Sequence, residues 1–299
     1  MHTAAPQFSE ILHATDFSEG EMRAFAHSLR IALAARATLT LLHISSVDEE
    51  TDWSDFPHVR TILEQWGQLQ HGSNRADVAA LGLSVEKMRR RGDSVDEILA
   101  HLSAYSTDLL VFSNHQRRGW DRFRRRHVSL QVSRRAGQCT LFVPRHQPGF
   151  VSLRTGQVRL ADVLIPAATT PDPSAAIQTA HYLAGLLGVT PRFTLLHVGE
   201  EQPALAHMAR RPGEECAWLC RRGPVVDTIL STAEEQGSEL IVMATEGTHS
   251  FMDSVLGSTA ERIVHEAPCP VLAVPVALLT PQPVLPARES SLLGVPQPT

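Results

Sequence analysis

Short apolar runs alternate along this chain with stretches of helical periodicity. Residues 9–15 form the first run and residues 38–44 (TLTLLHI) the second. Between them, from about Glu21 to Ala35, apolar positions fall at helical spacing. The pattern predicts a further helix around His58–Gln70 and a strand near Leu83–Met88. Turn, helix and strand follow through GDSVDEILAHLSAYSTDLLVFS, which begins at Gly92. Residues 128–136 read as a helix and 140–144 (TLFVP) as a strand. Strands alternating with helices in this way build a parallel sheet covered on both faces.

The series then starts again. Residues 162–168 (DVLIPAA), 192–198 (RFTLLHV) and 216–220 (CAWLC) are the matching first three strands. GPVVDTILSTAEEQGSELIVMA, from Gly223, aligns with the stretch from Gly92 without a gap. The offset of 131 (223 less 92) still holds for Val143 with Val274 and Pro144 with Pro275. Chance similarity does not keep register over that distance, so the chain carries an internal duplication. The halves differ in their middles: 49 residues lead from His43 to Gly92, and only 26 from His197 to Gly223. The second half has therefore lost most of one helix, which leaves part of its sheet less covered. The expected units are residues 1–146 and 158–278 with a linker around 145–160. A proline-rich tail, 279–299, is expected to be disordered.

Composition narrows the function. A chain of 299 residues, 43% hydrophobic and 20% charged, has enough material for two cores. No apolar run approaches the roughly 18 residues of a membrane span, and the N-terminus has no signal pattern. The expected location is the cytoplasm, with no membrane partner. A net charge of -5 argues against general nucleic-acid binding, and four cysteines do not make a disulfide framework. The P-loop, paired Cys-x-x-Cys and Gly-x-Ser-x-Gly patterns are absent, so no catalytic residue and no metal ligand is assigned.

One stretch does carry chemistry. After the apolar run that ends at Ala244, a small-residue loop leads to Gly257 and Ser258, which open a helix. Ser258 with Glu261 three residues on reads as a capping box, and free N–H groups at such a helix start favour an anion. Gly247 and Gly257, without Cβ atoms, allow backbone to approach a ligand closely.

The spacing Ala244-x-x-Gly247-x9-Gly257-Ser258 resembles the nucleotide loop of the universal stress protein family, with Ala244 at the family's first glycine. The opening Ile11-Leu12-His13-Ala14-Thr15-Asp16-Phe17-Ser18 is similar to the start of such a domain. The resemblance implies an α/β fold of two tandem, doubly wound, five-stranded parallel sheets of the adenine nucleotide alpha hydrolase type, strand order 3-2-1-4-5. It also implies an adenine-nucleotide cleft, for ATP or a relative, at the carboxyl ends of strands 1 and 4. Carried across, the second-half site is Ala167, Ala168, Val198, Ala244, Gly247, Gly257, Ser258 and Thr259. The first-half counterpart is Thr15, Asp16, Ile44, Ser113, Arg126 and His127.

Each half keeps part of the family's inventory. The first has the aspartate but Arg126-His127 in place of Gly-Ser; the second has the loop but Ala168 in place of the aspartate. A lost carboxylate hydrogen bond costs a ligand about 1.5–3 kcal/mol, so the second site is expected to be weak or altered and the first degenerate. The Arg-rich loop 115–127 could instead take an anion on guanidinium groups, or be a solvated loop. Asp16 has the simpler job of a helix cap open to it. Cys216, Cys220 and Cys269 read as buried thiols, and His43 and His197 as a pair explained by duplication.

The implied function is a non-enzymatic stress-response module. Its two domains pair through strands 140–144 and 271–275, and it works with an unidentified protein partner or as a homodimer. A protein with both pockets dead, or an adenylyl-transferring enzyme, are the rival readings.

Overall fold

The computed structural model describes residues 7–45, 56–114, 128–200, 216–246 and 258–276. In the first half, β1 (Glu10–Thr15), α1 (Met22–Ala35) and β2 (Thr38–Ser45) lead to α2 (Val59–Gln65), α3 (Arg75–Ala80) and β3 (Ser84–Arg91). Then come α4 (Ser94–Ala104), β4 (Leu109–Asn114), α5 (Val128–Ala136) and β5 (Cys139–Pro144). The second half runs β6 (Asp162–Pro166), α6 (Ser174–Leu187), β7 (Arg192–Val198), β8 (Cys216–Arg221), α7 (Val225–Gln236), β9 (Leu240–Thr245), α8 (Ser258–Glu266) and β10 (Val271–Pro275).

All ten strands form one sheet in the order β3-β2-β1-β4-β5-β10-β9-β6-β7-β8. Each half is therefore a five-stranded parallel sheet of order 3-2-1-4-5, as the resemblance implied. The halves meet where β5 and β10 pair antiparallel, Phe142 opposite Val271 and Thr140 opposite Ala273. Both strands are buried along their whole length. An apolar strand edge left open would recruit another chain, and here the two edges cover each other.

Helices complete the two layers. α1 and α6 pack on one face over a core that includes Phe25, Leu29, Ile177 and Leu183. On the other face a second core gathers Ile98, Leu130, Ile229 and Ile263. Each core draws side chains from both halves, and contacts cross the junction. Arg134 of α5 pairs with Glu261 of α8, Asn114 Nδ2 donates to the Val264 carbonyl, and the Phe8 N–H donates to the Tyr182 hydroxyl (3.1 Å).

The duplication shows in backbone as well as sequence. Gly92 and Gly223, aligned by the repeat, have φ of +141° and +142°. That conformation all but requires glycine, and in each half it turns the chain from an edge strand into the next helix.

Two expectations need correcting. The helix around His58–Gln70 ends at Gln65, because the chain turns at Gly67 (φ +69°). A separate helix, α3, follows under a capping box in which Asn74 and Asp77 bond each other's backbone. Residues 145–160, the expected linker, pack against the first half. Phe150, Val151 and Leu160 are buried, Trp66 Nε1 donates to the Leu153 carbonyl (3.1 Å), and a Cβ on Gly156 would strike the Trp66 ring. The first strand of the second half stops at Pro166, short of Ala167 and Ala168. The region of the lost second-half helix, 201–215, and the tail lie outside the described residues.

Candidate functional site

In the second half, β6 lies between β7 and β9, so the chain leaves it toward opposite sides of the sheet. The crevice at the carboxyl ends of such strands is where doubly wound sheets take ligands. A cavity of about 420 Å³ opens there, bordered by the ends of β6, β7 and β9 and by the first turns of α7 and α8. That volume lies in the range of small-molecule sites.

Five of the residues carried over from the motif line this cavity: Ala167 and Ala168 beyond β6, Val198 at the end of β7, Ala244 on β9, and Thr259 in α8. Gly247 and Gly257 lie outside the described residues. Ser258 is the first residue of α8. Glu261, in the first turn of α8, pairs with Arg134 of the first half.

Sequence reasoning missed much of the wall. Val225, Ile229, Met243 and Ile263 give it an apolar side, and alone in sequence they read only as core residues. Thr245 and Glu246 also line it. Thr245 is 4% exposed, and its Oγ1 has no hydrogen-bond partner among the described residues. A buried hydroxyl without a partner is costly, and a ligand in the cavity would supply one. Its place directly after Ala244 was the available signal.

His197 borders the same cavity, with Nδ1–H donating to the Ala167 carbonyl at 2.9 Å. His43 does the same to the Thr15 carbonyl, also at 2.9 Å. The matched histidines thus tie the end of strand 2 to the end of strand 1 in each half.

In the first-half counterpart, side chains bond one another across the ends of the strands. Arg145, directly after β5, folds back so that Nε donates to Ser113 Oγ (2.9 Å) and Nη1 to Ser18 Oγ (2.7 Å). Its Nη2 donates to both Asp16 and Glu21, each at 2.8 Å. Its stem lies against Gly20, where an added Cβ would come within 2.6 Å of Arg145 Cδ. Phe17, at φ 58°, stacks on His43 with centroids 4.0 Å apart.

Asp16 is therefore no helix cap. Its Oδ1 accepts from the Ser18 N–H (3.0 Å), while α1 begins after Glu21 without a side-chain cap. Thr15 Oγ1 accepts from the Phe17 N–H (3.1 Å), and Ile44 packs into the second core. Arg126, His127 and the rest of the Arg-rich loop lie outside the described residues.

Burial shapes the charges of this cluster. It pushes the Glu21 carboxyl up to about 8, helped by Asp16 and opposed by Arg145. For Asp16 burial also raises, but hydrogen bonds from Ser18 and Arg145 outweigh it and bring the carboxyl down to about 2. His13, wholly buried, is pushed down to about 4; its Nδ1–H donates to the Val111 carbonyl, leaving Nε2 3.9 Å from Glu21.

The thiols divide. Cys139 and Cys269 are buried and pushed up to about 12 by burial, but Cys216 is half-buried and Cys220 exposed, so the expectation that all are buried fails on the edge strand β8. Among the described residues, no group of three or more His, Cys, Asp or Glu is placed to hold a metal ion. No helix there is long and apolar enough to cross a membrane.

Comparison with known proteins agrees with this fold. A chain of Archaeoglobus fulgidus, a universal stress protein, superposes with a TM-score of 0.61 at 19% identity, covering 90% of this chain and 99% of that one. A Pseudomonas aeruginosa protein does so with a TM-score of 0.61 at 17% identity, covering 91% and 95%. Among curated proteins, a universal stress protein of Thermus aquaticus is 41% identical over 56 residues, 19% of this chain and 41% of its own length. Universal stress protein A homolog 1 of Coxiella burnetii is 40% identical over 70 residues, 23% and 46%. The chain thus spans under half the length of these two relatives. The model of the universal stress protein family matches residues 7–144 and again 163–275, and the chain belongs to that family as a tandem member.

Proposed function

We propose that this protein is a cytoplasmic binding module of the stress response that holds one adenine-bearing ligand per chain, in the second half. The observation that carries the reading is the cavity at the β6/β9 switch point, with the buried Thr245 hydroxyl unpartnered in its wall. Leu196, Val198 and Met243 offer an apolar surface that suits a base, and the start of α8 supplies N–H groups with partial positive charge for an anionic group. Thr245 is available to donate to a ligand acceptor.

The first half works as scaffold, its Asp16 bonded to Arg145. The geometry favours binding over catalysis: Glu246 is the one carboxylate lining the cavity among the described residues, and His197 is engaged with a backbone carbonyl. Occupancy would then bias a surface read by a protein partner.

Isothermal titration of the whole chain with adenosine, AMP and ATP tests this. One site per chain is expected, lost in Ala168→Trp, which fills the cavity mouth at an exposed position. Absence of heat with all three ligands would leave the interaction-only reading. Turnover of ATP lost in the same variant would favour an enzyme.

A further inference from the structure

We infer that the β3 edge of the sheet is a docking surface for an extended, acidic peptide segment of a partner protein, which adds to it as a further strand. This surface stands apart from the second-half cavity. Among the described residues, β3 pairs with β2 alone and closes one end of the sheet. The Ser84 N–H donates to the Ala37 carbonyl (3.2 Å), the Gly92 N–H to the Ser45 carbonyl (3.4 Å), and the Arg90 carbonyl accepts from Ser45 Oγ (3.4 Å). Even-numbered residues thus turn their backbone toward β2. Because backbone groups alternate sides along a strand, the N–H and C=O groups of Val85, Lys87, Arg89 and Arg91 turn outward.

A groove of about 1190 Å³ follows this edge. Every residue from Gly82 to Met88 borders it, together with the start of α2, part of α3, and Tyr105, which is 52% exposed. Val85 packs against one core and Met88 against the other, so the groove straddles both faces of the strand. It exceeds the roughly 300–1,000 Å³ of small-molecule sites, and consecutive strand residues along its length suit a peptide backbone.

Charge selects the peptide. Arg60, Arg75 and Lys87 border the groove, against the single carboxylate of Glu86 among its described lining. Lys87, Arg89 and Arg91 alternate along one face of β3, and Arg91 is exposed. By the repeat, Trp218 and Cys220 of β8 stand where Lys87 and Arg89 stand in β3, so a cationic row is not something every edge of this fold requires. A second copy of the chain fits poorly. Two β3 strands paired over their length would set Lys87 of one against Lys87 or Arg89 of the other, and like charges directly opposite are destabilising. A nucleic acid fits poorly too, because the outward carbonyls need donors at the strand repeat, which a peptide backbone has and a phosphate chain lacks.

The test uses the full chain and a blocked peptide of alternating Glu and Thr, about as long as β3. Its controls are the same peptide with Lys for Glu, the Glu peptide N-methylated throughout, and an oligothymidylate. Fluorescence anisotropy reads affinity, and residue-resolved amide exchange reads the place. The Glu peptide is expected to bind about tenfold or more tighter than the Lys and N-methylated peptides, and to slow exchange at Val85, Lys87 and Arg91 but not on β8. In the Lys87→Glu, Arg91→Glu double variant the preference between Glu and Lys peptides is expected to reverse. No binding of the Glu peptide, or protection of those amides already in the free chain, overturns the docking surface. Equal binding of the N-methylated peptide overturns strand addition. Slowing of the same amides by the oligothymidylate assigns the edge to nucleic acid instead, and an unchanged preference in the double variant removes the role given to the charges.

Discussion

Arg145 and Val276 hold the same place in the two repeats, and so do Asp16 and Ala168. The Asp–Arg pair of one half is matched by an Ala–Val pair in the other, so the family aspartate has been turned to internal use where it survives. Arg145 has a side chain only 8% exposed, and Glu21 one 9% exposed. Arg145→Met removes four side-chain hydrogen bonds from this cluster and is expected to lose about 1–3 kcal/mol in urea unfolding. The cluster also predicts a pH dependence. Glu21 holds its proton in the folded protein up to about 8, against an ordinary value of 4.5, so its contribution is fully present below 4.5 and lost as pH rises through 8. Asp16, brought down to about 2 from 3.8, contributes above 3.8 and loses that contribution as pH falls through 2. In Glu21→Gln the decline in stability between about pH 4.5 and 8 is expected to flatten, as followed by chemical unfolding across that window. At Gly223 an alanine would have to adopt φ +142° with its Cβ 2.8 Å from Thr228 Oγ1, and Gly223→Ala is expected to lose about 1–3 kcal/mol by the same measurement.

Among the elements, β10 has neighbours on both sides, parallel β9 and antiparallel β5. Ala273, opposite both Met243 and Thr140, is 2% exposed. Proline at a central strand position removes a ladder hydrogen bond, so Ala273→Pro is expected to cost about 3 kcal/mol or more and to split thermal unfolding into separate transitions for the two halves. A single transition at the wild-type temperature would contradict the role given to this joint. Most elements were legible because their signals are local. TLFVP and VLAVP are apolar runs of strand length, α5 lies where its pattern put it, and α8 begins at Ser258 as the Gly257-Ser258 opening placed it. The misses have local causes too. Gly67 ends a helix whose apolar spacing runs on past it, and α3 is six residues long, too short for periodicity to mark; the Asn74–Asp77 box was its one visible signal.

Across the whole molecule, the two cores are shared between halves, so ligand binding in one half should raise the stability of both. At a ligand concentration a hundred times its dissociation constant, adenosine is expected to stabilise the chain by about 2.7 kcal/mol, seen as one shifted transition in calorimetry. A shift confined to part of the unfolding would show the halves to be independent. The sequence by itself determined the alternation of strand and helix and the duplication with its glycine pair. Those properties are written in periodicity and spacing, which depend on neighbours along the chain. Only the tertiary structure decided which distant side chains meet at each cleft. Arg145 meets Asp16 across 129 positions of sequence, and the unpartnered Thr245 hydroxyl shares a cavity with side chains from five elements. Neither local periodicity nor motif spacing encodes which distant side chain fills a crevice, because that choice is made by packing and by the pairing of buried charges.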